Sequence, residues 1–380
     1  MNDEPRFEPD RAAAIGETAR AGDGTSGTGN EANRAEFGTA IGEKLSGGDP
    51  TGANPGPAPA IGETATGNDA KGTDPGPVLV IGETLIDIIT TQDGVRELPG
   101  GSPANVAVAL GRLGRAPVLA TTLAADPRGD AARRWLEASG VTVAAQAPAT
   151  GRTSTAAVTL AEDGSAAYEF DLAWDLGAAT IDTAADPIVV HAGSIATVLD
   201  PGAAAVEAAL TGARGRALVT FDPNARPAIT PDRDAVLPRV ERLVAASDVV
   251  KVSEEDLAWY HPGADPVDIA RDWAARGPVL VVVTRGADGS VLVRGDTVLT
   301  LPGVTVTVAD TIGAGDTYTG ALIDALLSLN AHGPDARHVL QALTETQLRN
   351  AATWAANAAA ITVSRPGADP PTRAELDGAA

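Results

Sequence analysis

The chain reads as one large α/β domain built on a mostly parallel sheet, preceded by a long segment that has no fold of its own. Three observations predict this. After Pro77, short apolar runs alternate with Ala- and Leu-rich stretches of helical period. Two half-polar segments of period two interrupt that alternation. Before Pro77 neither period is sustained.

The apolar runs Val78 to Ile81, Val118 to Thr122, Val189 to His191, Ala217 to Phe221, Val249 to Val252 and Val279 to Thr284 predict strands buried on both faces. Between or after them, Ala104 to Leu113, Asp130 to Ser139, Gly202 to Gly212, Pro238 to Ala246, Pro266 to Gly277 and Thr317 to Leu329 predict helices that cover the sheet. The interruptions run from Asp87 to Leu98, turning near Gln92-Asp93-Gly94, and from Arg152 to Phe170, turning at Asp163-Gly164. Hairpins of this kind do not belong inside a buried parallel sheet. They form either a small separate sheet that covers a site, a lid over 87–98 and 152–170, or ordinary edge hairpins.

Residues 1–76 are rich in Gly, Ala, Thr, Asp, Glu and Pro and poor in large apolar side chains, which predicts disorder, with the folded domain over 77–380. An internal repeat runs through this tail: Ile15-Gly16-Glu17-Thr18, Ile41-Gly42-Glu43-Lys44 and Ile61-Gly62-Glu63-Thr64 echo Ile81-Gly82-Glu83-Thr84. Without a hydrophobic face these echoes cannot stack as a solenoid.

Composition removes several classes of chemistry. The chain has no cysteine, which excludes disulfides, thiolate metal sites and cysteine nucleophiles and predicts a reducing compartment. A net charge of -22 disfavours nucleic acid as a partner. His191, His261, His332 and His338 lack metal-ligand spacing. No apolar run approaches the roughly 18 residues of a membrane span, and a cytoplasmic location is expected.

The richest chemistry lies at Asp310 to Asp316, DTIGAGD. Val304 to Asp310 is strand-like and Thr317 onward is helix-like, so Gly313-Ala314-Gly315-Asp316 opens a helix whose free N–H groups suit a phosphate. Read alone, Asp316 serves equally as a helix cap or as a base that takes the proton of an attacking hydroxyl. A second glycine pair stands in Leu98-Pro99-Gly100-Gly101-Ser102-Pro103-Ala104-Asn105, where Asn105 offers both donor and acceptor. No GxxxxGK[ST] occurs, so a P-loop is not supported.

Together LPGGSPANVAVALGRLG and VADTIGAGDTYTGALIDALL resemble the two signatures of the PfkB, or ribokinase-like, family of carbohydrate kinases, over about Pro77 to Ala368. The resemblance implies a ribokinase-like fold, with a central mostly parallel sheet, flanking helices and a small β-sheet lid. It implies that Asp316 is the catalytic base and that Gly313, Ala314 and Gly315 form an anion hole. It implies substrate contacts at Asp87, Gly101 and Asn105, and nucleotide contacts at Thr284, Gly286, Gly289 and Asn357. ATP with Mg²⁺ is the implied phosphoryl donor. Asp310 and the Ile312 carbonyl fall where many members bind a monovalent cation such as K⁺.

Two stretches depart from the family pattern. The Asn-x-x-Glu motif that helps organise Mg²⁺ stands here as Ser253-Glu254-Glu255-Asp256, which assigns Ser253 and Asp256 to that role. Fructokinase-like members often carry an arginine after the second lid strand, whereas this chain has Tyr168-Glu169-Phe170-Asp171-Leu172. GETLID, GGSPANVA and FDPNARP nevertheless resemble the fructokinase branch, implying transfer to a primary hydroxyl of a free hexose. Ribose, 2-keto-3-deoxygluconate and nucleosides are the alternative acceptors. A non-catalytic sugar-binding protein is the alternative class, against which the intact GAGD argues. Lids of this family often contribute to dimers, so a homodimer is among the expected states.

Overall fold

In β1 (Val78–Ile81) all four side chains are buried, Val78 and Val80 in one hydrophobic cluster, Leu79 and Ile81 in another. Successive strand residues point to opposite faces. A strand covered on both faces therefore needs an apolar side chain at every position, which is why the sequence runs are unbroken. The computed structural model describes residues 76–91, 94–160 and 166–379. The predicted tail, apart from Gly76, and the turns at Gln92-Asp93 and Asp163-Gly164 lie outside the described residues.

From β1 the chain enters β2 (Leu85–Thr91) and β3 (Gly94–Gly100), then α1 (Ser102–Arg112), β4 (Pro117–Thr122), α2 (Pro127–Ala138) and β5 (Thr142–Gln146). β6 (Thr155–Leu160), β7 (Ala166–Asp171), α3 (Ala178–Ile181), β8 (Val189–Gly193), α4 (Gly202–Ala213) and β9 (Leu218–Asp222) follow. Next come α5 (Arg233–Ala246), β10 (Val249–Ser253), α6 (Glu254–Tyr260), α7 (Pro266–Arg276) and β11 (Leu280–Thr284). β12 (Ser290–Arg294), β13 (Thr297–Leu301), α8 (Ala314–Ser328), α9 (Ala336–Ala342), α10 (Glu345–Val363) and α11 (Arg373–Asp377) complete the order.

Among the described residues the main sheet has nine strands, ordered β13-β12-β11-β10-β9-β8-β1-β4-β5. It is parallel from β11 to β5, with β12 and β13 antiparallel at one edge. One face packs on α1, α2 and α8 to α11, the other on α3 to α7. Each fully buried Leu, Ile or Val in these layers contributes about 1.5–3 kcal/mol relative to exposure. The order reverses at β1, which is flanked by β4 and β8. Open α/β sheets bind ligands beyond the carboxyl ends of their strands at such a switch point.

The two interruptions form a second sheet, ordered β3-β2-β6-β7, antiparallel except for the parallel pair β2–β6. The chain leaves β1 at Gly82 for this small sheet and re-enters the main body through Gly100 and Gly101 at the start of α1.

Two expected elements are drawn differently. Val304 to Asp310 is not a strand: after β13 the chain leaves the sheet, Val304 and Val308 face solvent, and only the N–H groups of Ala309 and Asp310 pair, both with the Val363 carbonyl. The period of two is present, but no neighbouring strand is there to meet it. The helix expected from Pro238 begins at Arg233, where Asp232 accepts from the Ala235 N–H and leaves Pro238 inside the helix.

Candidate active site

At the start of α8 the backbone turns through Gly313, whose φ of 75° is left-handed and whose Cβ, if present, would stand 2.6 Å from the Ala368 Cβ. Only glycine satisfies both the conformation and the space. Among the described residues the N–H groups of Gly313, Gly315 and Asp316 meet no acceptor, and that of Ala314 turns back to the Thr311 carbonyl at 3.3 Å. Unpaired donors at a helix start, with the helix dipole behind them, form an anion site.

Asp316 is buried in the first turn of α8, and its carboxylate is held from two other segments. Ser102 Oγ donates to Oδ1 at 2.7 Å and Asn105 Nδ2 to Oδ2 at 2.8 Å. Asn224 Nδ2 donates to Ser102 Oγ at 2.7 Å and lies 3.4 Å from Asp316 Oδ1. A residue that only capped the helix would turn to its own backbone; this one faces the α1 start and the loop after β9. Asn105 directs its amide nitrogen to Asp316 and keeps Oδ1 buried without a partner, an acceptor still open.

Asp87, in β2, has a different environment. Gly100 lies so close that a Cβ there would fall 2.2 Å from Asp87 Oδ2, and no donor of the described chain reaches the carboxylate. Burial pushes its pKa up to about 6, against the pull of the Arg226 guanidinium. Arg226 donates to Asn224 Oδ1 at 2.6 Å, so Asp87 and Asp316 are linked through Arg226 and Asn224. Gly101 caps α1 at φ 108°, pressed against the Glu83 carbonyl. Glu83 lies at the switch point, accepting from the Ala196 N–H at 3.2 Å, and burial pushes its pKa to about 7.

Thr284 ends β11 beside Ser253 of β10, at the carboxyl edge of the sheet. Gly286 opens a short 3₁₀ turn and Gly289 ends it. Tyr318 of α8 donates to Ser290 Oγ at 3.2 Å, which ties this turn to the helix that carries Asp316. Asn357 is half-buried on α10, which is fastened to α8 by a Thr362–Thr317 hydroxyl pair at 3.0 Å. Asn357 is hydrogen-bonded to none of the other expected nucleotide residues.

Asp310 accepts from the Ile312 N–H at 3.0 Å and from the Gly367 N–H at 2.9 Å. It therefore clamps the loop before α8 to the loop after α10, around the Ile312 carbonyl expected on the cation side. Ser253 and Asp256 form the capping box of α6, and Asp256 Oδ1 also accepts from the Ala225 N–H at 2.9 Å. Both are thus engaged in holding the α6 start and the loop after Asp222. Among the described residues no group of three acidic or histidine side chains could hold a metal ion.

Ser102, Asn224, Arg226 and Glu83 carry much of this geometry, and Lys251 reaches Asp222 beneath the GAGD turn at 3.1 Å, all without a role assigned from the sequence. Ser102 and Asn224 stand inside motifs already noted, PGGSPAN and FDPNARP. The signal for Lys251 was a lone charge within the apolar run VVKVS.

A family model described as pfkB family carbohydrate kinase matches residues 77–375. A fructokinase of Rhizobium leguminosarum bv. trifolii is 35% identical over 272 residues, covering 70% of this chain and 81% of its own. Fructokinase-1 of Zea mays is 30% identical over 313 residues, 77% of this chain and 94% of its own. The crystal structure of fructokinase with bound ATP from Xylella fastidiosa superposes with a TM-score of 0.73 at 25% identity, covering 80% of this chain and 97% of that one. A double mutant of Vibrio cholerae fructokinase, bound to fructose, ADP and potassium ion, gives a TM-score of 0.70 at 26% identity, covering 81% and 99%.

Proposed function

The chain belongs to the pfkB family of carbohydrate kinases, and within that family we propose that it transfers the γ-phosphoryl of ATP to a primary hydroxyl of free fructose. The observation that carries the reading is the pairing of a braced carboxylate, Asp316, with two open acceptors, Asp87 and Asn105 Oδ1. A polyol brings hydroxyl donors that such acceptors lack, and it loses one hydroxyl proton during reaction. The named relatives favour fructose among the possible sugars.

In this reading Asp316 takes the proton of the attacking hydroxyl while Asp87, Gly101 and Asn105 hold the sugar. Ser102 and Asn105 keep the base aimed before substrate arrives. The free N–H groups at Gly313, Gly315 and Asp316 stabilise charge on the phosphoryl as it moves. Thr284, Gly286, Gly289 and Asn357 line the nucleotide side. Mg²⁺ on the ATP phosphates would neutralise their charge, and a monovalent cation at Asp310 and Ile312 would steady the same turn.

Sugar-dependent ADP release across fructose, glucose, ribose, 2-keto-3-deoxygluconate and a nucleoside tests the proposal. Fructose should give the highest kcat/KM. A higher value with another acceptor would replace fructose, and no release with any of them would reject the kinase site.

A further inference from the structure

Lys251 is the one charged side chain in β10, a strand otherwise filled by Val249, Val250 and Val252, and it is 5% exposed. Its Nζ donates to Asp222 Oδ2 at 3.1 Å. Asp222 Oδ2 also receives the Thr319 hydroxyl at 3.1 Å, and Thr319 Oγ1 lies 3.0 Å from the Gly315 carbonyl. Asp222 Oδ1 is buried with no partner. On the other side, Lys251 Nζ stands 2.9 Å from where a Cβ of Gly315 would be. The ammonium thus forms the floor directly beneath the middle of the GAGD turn.

An aliphatic side chain would fill this place between sheet and helix more cheaply, because a buried ion pair returns little of its desolvation cost as stability. The other groups that face Lys251 are mostly acidic: Asp256 from α6 and Asp316 from α8, with neutral His191 on β8. Burial pulls the Lys251 pKa down, but the Asp222, Asp256 and Asp316 carboxylates outweigh it and hold the ammonium charged. His191, pushed to about 3 by burial and by Lys251, carries no charge. The only cation in this group is therefore the one that touches the turn.

We propose that Lys251 is a positioning residue for phosphoryl transfer: its ammonium, oriented by Asp222, which Thr319 also holds, sets the height of Gly315 and supplies fixed positive charge under the anion hole. Charge that develops above the turn in the transition state then meets both the backbone donors and a preorganised cation behind them. The inference rests on the GAGD turn being the anion hole.

Two variants test it, each assayed for kcat, both KM values and thermal midpoint. Lys251→Met strands Asp222 without its partner and lowers stability. Asp222→Asn/Lys251→Met removes both charges and should recover most of the midpoint. In both, kcat should stay at least about tenfold down, with each KM within about threefold of the wild type. Recovery of kcat together with stability in the double variant, or a loss confined to KM, overturns the proposal. So does a double variant that does not fold, which would assign the pair to the core alone. If Asp316→Asn leaves turnover near normal, the site reading itself fails; if only the Lys251 variants are near normal, this inference alone fails.

Discussion

Asp316 receives hydrogen bonds from Ser102, Asn105 and Asn224, whereas Asp87, on the lid side, receives none from the described chain. Both are shielded carboxylates on either side of one polar link through Asn224 and Arg226. The difference lies in what holds them. Asp316 opens a long helix packed on the main sheet, and its donors come from rigid helix and loop starts. Asp87 belongs to the small sheet, and the partners it lacks are those a sugar can bring. On the proposed reading, the main body holds the base in place and the small sheet supplies the acceptor for substrate.

The strongest way to break this contrast is Asp316→Asn, which keeps the shape and removes the base. Turnover should fall by roughly two or more powers of ten while ATP binding, read by calorimetry, survives. Near-normal turnover would reduce Asp316 to a structural group. Next in size is Asp87→Ala, which should raise the sugar KM by about tenfold or more and change the nucleotide KM far less. An equal rise in both would deny the division between the two sides.

The smallest effect sharpens the comparison through pH. With its pKa near 6, Asp87 is ionised above that value and becomes protonated as pH falls through it. The ionised form accepts hydroxyl donors best, so the sugar KM should rise a few-fold as pH drops from about 7 to 5. In Asp87→Asn this rise should vanish. A sloping KM that survives the substitution would assign the titration elsewhere.

Much of the fold was legible because a strand buried on both faces leaves an unmistakable mark. Val78 to Ile81 and Leu280 to Val283 are cases where burial alone decides the residue type. Val304 to Asp310 misled because period two describes a face, and a face makes a strand only where another strand waits. The hairpins showed that a parallel sheet could not absorb them, but their residues left a separate sheet and edge hairpins equally open; the structure has the separate sheet. At the site, DTIGAGD and GGSPAN announced themselves by local spacing. Ser102, Asn224 and Lys251 acquire their roles only across the fold, through partners that no local pattern brings together.

The hydrogen bond from Ser102 to Asp316 spans 214 positions of chain, and that from Asn105 spans 211. Contacts so distant in sequence form late, since the loop they close must first be ordered by everything between. During synthesis the α1 segment emerges long before α8 exists to meet it. The small sheet and all nine strands of the main sheet precede α8 in the chain and can form before it. The Asp316 cluster is complete only when α8 docks and the carboxylate meets its donors.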